Sequence, residues 1–163
     1  MNKQLKLLIE ESIKLELNVA ELYKFFNQAF REDAYFWWTL IEEEKNHANL
    51  IRKIGELDFL TNEIIAEIIP AKLQTISEAN EKLSSCVDEY KTNPPSREEA
   101  FNVALKFEKS AVEIHYQKFM NKNVDDMLTQ TFQNLNDGDK DHIKRLRSYM
   151  EEHGITILKD SYL

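Results

Sequence analysis

The stretch Glu43-Glu44-Lys45-Asn46-His47-Ala48-Asn49, EEKNHAN, decides how this chain is read. Around it Ala34, Trp37, Trp38, Ile41, Glu44, His47, Ala48, Ile51 and Ile54 recur at steps of three and four, the pattern of a helix with one buried face. Glu44 and His47, three positions apart, therefore share the stripe that the isoleucines mark as core. An ionised carboxylate in that place needs compensation, because an unpaired buried charge is expensive.

Working outward, Leu5, Leu8, Ser12, Leu15, Glu16, Val19, Leu22, Tyr23 and Phe26 predict helix A over about residues 3–29. Arg31-Glu32-Asp33 offers a short polar turn, and helix B follows over about 33–56, with Gly55 placed to stop it in a left-handed cap. Residues from about 58 to 95 read as a long, partly helical crossover. Thr61 could cap a short helix through Ile68, Pro70 should interrupt it, and Leu73, Ile76, Leu83, Val87 and Tyr90 suggest a second amphipathic piece. The TNPPS at 92–96 is a boundary, and Ser96-Arg97-Glu98-Glu99 matches a capping box.

Helix C is expected over about 97–121 on Phe101, Ala104, Glu108, Ala111, Val112, His115 and Phe119. A polar break at Asn121 to Asn123 precedes helix D, about 124–153, with Leu128, Thr131, Leu135, Asp139, His142, Leu146, Tyr149 and His153. Gly138 is a candidate bend within it. Aligning Glu16 with Glu108 turns the sequence into a weak internal repeat, in which Glu44-Lys45-Asn46-His47 falls on Asp139-Lys140-Asp141-His142 after a short gap.

Composition agrees with an all-α fold, since the chain has only three Gly and three Pro in 163 residues. That length reads as a single domain, 1–163. A net charge of −8 with basic residues dispersed among acids argues against a nucleic-acid partner. One cysteine, Cys86, leaves no internal disulfide and no CxxC metal site. The N-terminus lacks the apolar core of a secretory signal, and the longest uncharged apolar run, Ala34 to Ile41, is too short for a membrane span. The expectation is a cytoplasmic protein with no membrane partner.

The inner stripes carry Glu16, Glu44, Glu108 and Asp139, with His47 and His142 each three residues after an acid. No matching set of inward Lys or Arg accompanies them, so a pair of metal cations answers the charge problem directly. This combination resembles the ferritin-like superfamily, in particular the rubrerythrin-type di-iron domain without its rubredoxin module. ALKFEKSAVEIHY at 104–116 is similar to that family's third helix and NLNDGDKDHIKRL at 134–146 to its fourth.

The resemblance implies a ferritin-like four-helix bundle of two helix pairs joined by the crossover. It implies two iron ions, or manganese or a mixed pair, with Glu16 and Glu108 as terminal ligands, Glu44 and Asp139 as bridges, and His47 and His142 giving one nitrogen each. Asp139 stands where that family usually has Glu, one methylene shorter. Tyr23 would place a phenol near the metals, and His115 would act from a second shell. The activity implied is peroxide reduction or ferroxidase-like oxidation, with hydrogen peroxide or dioxygen as oxidant, a separate electron donor and a homodimeric assembly.

Blander readings stand beside these. Tyr23 also suits a core tyrosine, His115 a packed histidine, and His153 a C-terminal helix cap. Trp37-Trp38 would bury area at the bundle end or at a subunit contact. The run Asp137-Gly138-Asp139-Lys140-Asp141 is not a calcium loop, because His142 stands where glycine is needed. Two other functions compete with the enzyme: iron sequestration without turnover, and a metal-free helical interaction module whose acids form structural pairs.

Overall fold

The computed structural model describes residues 3–55, 62–115 and 127–158. Among them the chain is all-helical, in the order α1 (Lys3–Ala29), a 3-10 turn (Arg31–Asp33), α2 (Ala34–Gly55), α3 (Asn62–Thr92), α4 (Arg97–His115) and α5 (Met127–Glu152). None of these helices is long and apolar enough to cross a membrane. Thr61, Phe119 and the break at Asn121 to Asn123 lie outside the described residues.

The helices fall into two compact units, Met1–Thr92 and Asn93–Leu163. In the first, α1 and α2 form a tight hairpin. Phe30 leaves the helical region at φ −118° and ψ 89°, and the next three residues close a 3-10 turn through Asp33 N–H donating to the Phe30 carbonyl at 3.1 Å. Asn27 Nδ2 also donates across the turn to the Ala34 carbonyl. Leu15, Val19, Leu22, Tyr23 and Phe26 of α1 are buried, as are Trp37, Leu40, Ile41, Ala48 and Ile51 of α2. Each large side chain so removed from water contributes about 1.5–3 kcal/mol before entropy is counted.

The sequence predicts a crossover broken at Pro70; α3 is instead one continuous helix from Asn62 to Thr92. An interior proline loses one ladder bond and costs ~3 kcal/mol or more. The packed length that follows it offsets that cost. Ile76, Leu83, Val87 and Tyr90 are all buried, and Phe25 of α1 stacks on Tyr90 at 6.1 Å.

Asn80 completes that stripe, since 76, 80, 83, 87 and 90 alternate steps of four and three, the spacing of a helix–helix seam. It is 1% exposed, and its amide is used at both ends. Asn18 Nδ2 donates to Asn80 Oδ1 at 2.9 Å, while Asn80 Nδ2 donates to the Glu11 carbonyl at 3.0 Å and to Glu11 Oε2 at 2.8 Å. A polar side chain satisfied only at one alignment fixes how α3 slides along α1.

In the second unit, α4 starts as its capping box predicts: Glu99 N–H donates to Ser96 Oγ at 3.2 Å. Ala100, Phe101, Ala104 and Leu105 of α4 are buried, as are Leu146 and Met150 of α5, and Phe101 stacks on Tyr149 at 5.4 Å. The helix passes through Gly138 and ends at Gly154, whose φ of 65° suits glycine. There Gly154 N–H donates to the Glu151 carbonyl at 3.4 Å and Ile155 N–H to the Met150 carbonyl at 2.8 Å, with Ile155 buried. This is a Schellman ending. His153 has the expected capping role, its Nδ1 lying 2.9 Å from the Tyr149 carbonyl while its ring stacks on Tyr149.

The extended segment after α5 returns to α4. Asn102 Nδ2 donates to the Thr156 carbonyl and Asn102 Oδ1 accepts from Leu158 N–H, both at 2.8 Å.

Replacing Asn80 with Ala strands the Asn18 amide and the Glu11 groups in a buried seam. A loss of ~1–3 kcal/mol in urea unfolding is expected. A loss under ~0.5 kcal/mol, the range of ordinary surface changes, would mean the seam does not depend on this amide.

Candidate functional site

In the first unit, Glu16 follows buried Ser12 by one turn of α1 and precedes buried Val19, so the helix carries its carboxylate inward with the core. Glu44 lies between Ile41 and Ala48 on the buried face of α2, and His47 sits one turn further along. The hairpin then brings α1 and α2 together at this level. His47 Nδ1 is 3.5 Å from Glu16 Oε2 and 3.3 Å from Glu44 Oε2. The side chains of Glu16, Glu44 and His47 are 4%, 2% and 12% exposed.

Burial by itself lowers the pKa of His47, because it disfavours the charged ring. Hydrogen bonding to Glu16 and Glu44, together with their negative charge, outweighs it and raises the imidazole to about 10. At neutral pH one imidazolium is therefore held between two carboxylates. The expected charge problem has an answer within the chain itself.

The second unit repeats this arrangement. Glu108 follows Ala104 on the buried face of α4, and His142 precedes Leu146 on that of α5. His142 Nδ1 lies 3.2 Å from Glu108 Oε1, and both residues are buried. Asp139 is also buried, one turn before His142. In each unit, then, the carboxylate of one helix meets the imidazole of the next.

Tyr23 is fully buried, and its ring packs 5.5 Å from Trp37 within an aromatic cluster that includes Phe26 at 5.1 Å from Trp37. The side chain of His115 lies outside those described. Cys86 is half-buried.

Two functional-looking features went unread in the sequence. Asn80 had a signal, its place in the four-three seam, but an Asn among exposed neighbours is easily passed over. Asn102 had none, since it serves a segment more than fifty residues away, as its partner Thr156 shows.

Chemically, three ligand-capable groups at Glu16, Glu44 and His47 have donor atoms all within 4.8 Å of one another. The same atoms form a proton-holding ion-pair cluster when no cation is present. Geometry alone thus permits two uses of these residues.

A family model described as Bacteriophage PhiKZ vertex-binding protein gp86 matches residues 14–144. Comparison with curated proteins found no match, and neither did comparison with solved structures. The matched family is not a ferritin-like or rubrerythrin family, which corrects the resemblance drawn from the paired acids and histidines. The di-iron oxidoreductase reading falls with it, as do the oxidant, the separate electron donor and the homodimer that the resemblance implied. The physical reason lies in the cluster: a carboxylate beside an imidazole satisfies helix packing as well as it satisfies a metal. The competing reading, a helical interaction module, fits the match better.

The raised His47 pKa fixes the sign of a pH effect. Its imidazolium contributes stability in full below the unfolded value of ~6.5, and that contribution is lost as pH rises through about 10. Urea unfolding of the chain without added metal should therefore show stability falling between these values, and His47→Gln should flatten the fall. An unchanged slope in the variant would remove His47 as its source.

Proposed function

The chain belongs to the family of the phage PhiKZ vertex-binding protein gp86, and from that membership we propose that it is a helical protein-binding module that docks on the vertex of a phage particle. The observation that carries this reading is the match over residues 14–144, which takes in α2, α3 and α4 whole and most of α1 and α5. The reading includes a single four-helix domain over 1–163, supported by the Glu16/Glu108 and His47/His142 repeat. Its buried acids and histidines are structural: they hold neighbouring helices at one alignment.

Purified particles of phage PhiKZ, the phage in the family's description, give the direct test. Added protein should co-sediment with them and appear by cryo-electron microscopy as extra density at the vertices. Density spread evenly over the capsid faces, or no binding, would refute the reading.

A second reading attaches to the site residues. We propose that Glu16, Glu44 and His47, with Glu108, Asp139 and His142 as their repeat counterparts, can hold a divalent first-row metal in a structural role, without turnover. The support is the 4.8 Å grouping of Glu16, Glu44 and His47 and its oxygen–imidazole donor set, which suits such ions; for Glu108, Asp139 and His142 it is the sequence repeat alone. After chelator treatment, adding manganese or ferrous ion should raise the melting temperature by a few degrees, as mass action requires of a ligand that prefers the folded state. His47→Ala should abolish that shift. If no ion of the series moves the wild-type melt, the ion-pair cluster alone accounts for these residues.

A further inference from the structure

Among the described residues the exposed large apolar side chains include the aliphatics Leu7, Leu17 and Leu50 at about two-fifths exposure and Leu158 at 55%. Tyr35 and Trp38 differ. They are 80% and 53% exposed, and they stack on each other with centroids 6.0 Å apart and planes at 30°. An aromatic pair left in water at this exposure is the composition of an interface hot spot rather than of a solvated helix face.

The local sequence makes the pair rigid. Trp37, between them, is fully buried and is held by Phe26 at 5.1 Å, Phe36 at 5.4 Å and Tyr23 at 5.5 Å. The same helical turn that drives Trp37 into the core must therefore turn Trp38 outward. Thr39 Oγ1 donates to the Tyr35 carbonyl at 3.0 Å, and the 3-10 turn at Arg31–Asp33 fixes the start of the helix. Little conformational freedom remains to be lost on binding.

Size and charge select the occupant. Tyr and Trp bury roughly 150–250 Å² each when covered, so the exposed parts of this pair present about 300 Å². Two copies meeting through it would bury on the order of 600 Å², well short of the ~1,000 Å² of a specific interface. The pair fits the centre of a larger contact with a different protein. The chain carries a net charge of −8; Arg31, one turn before Tyr35, is followed by Glu32 and Asp33, Glu42 stands one turn after Trp38, and Lys45, two turns after Trp38, is already paired with Glu42 at 2.7 Å. A cationic surface is the favoured complement, and guanidinium groups are the cations that lie best over indole and phenol faces.

We propose that Tyr35 and Trp38 are the hot spot through which this chain grips an arginine-presenting protein surface on the vertex. The proposal rests on the vertex-docking reading above and names the part of the chain that performs it.

The test measures binding of wild type, Tyr35→Ala and Trp38→Ala to purified phage particles at low and high salt, with helicity and sedimentation equilibrium of each protein alone. Both side chains are exposed, so both variants should keep wild-type helicity. Trp38→Ala should weaken binding by at least about tenfold and Tyr35→Ala by several-fold. Wild-type binding should weaken as salt rises. If both variants bind like wild type, vertex docking stands and this face is not its contact. If wild type does not bind at all, the docking reading itself fails and takes this proposal with it. Salt-independent binding that still needs Trp38 would overturn the arginine assignment. A wild-type dimer that becomes monomeric in Trp38→Ala would make the pair a self-contact.

Discussion

The structure depends on how carboxylates are kept inside helix pairs. Glu16 and Glu44 enter the interior because the three-four spacing of their neighbours leaves them no other direction, and each would destabilise the chain if it stood alone. His47 resolves this by standing within 3.5 Å of both and carrying the proton. Such a cluster is a weak source of net stability, since desolvation takes back most of the Coulombic gain. Its consequence is alignment, because one sliding step of α1 against α2 would leave Glu16 buried without its partner.

The same logic operates elsewhere in different chemistry. Asn80 holds α3 to α1 through an amide that meets Asn18 and Glu11, and Glu108 meets His142 between α4 and α5. Apolar stripes alone would let long helices slip by a turn at little cost, and a chain with three glycines has few sharp turns to prevent it. Polar contacts spaced along the helices take over that task. Asn102, which pairs with the backbone of Thr156 and Leu158, extends it to the segment after α5.

Much of this was legible in the amino-acid sequence, for a definite reason. Helix limits follow from periodicity, caps and prolines, so Lys3–Ala29, the capping box at Ser96 and the helix end close to His153 were readable. That Glu16, Glu44, Glu108, Asp139 and His142 are buried followed from their place on the apolar stripes. Pro70 was misread because proline's local cost was weighed without the packing gained by Ile76, Leu83 and Tyr90 further along. The larger misreading was chemical. A carboxylate three residues before a histidine states where two side chains point, not whether a metal or a proton lies between them. The iron and its oxidant came from likeness of pattern, and pattern does not carry function from one helical family to another.

Trp37 and Trp38 show why function was the harder thing to read. Adjacent in sequence and identical in chemistry, they differ only by the rotation that one residue makes along a helix. Trp37 disappears among Phe26, Phe36 and Tyr23, while Trp38 emerges beside Tyr35. The buried ring gives α2 a fixed rotation about its axis, and the exposed pair inherits that rigidity. A binding surface of this kind has no motif, because its residues need no particular spacing in the sequence beyond one shared outward face. It becomes visible only when the core has been assigned and the aromatic side chains left outside it are counted.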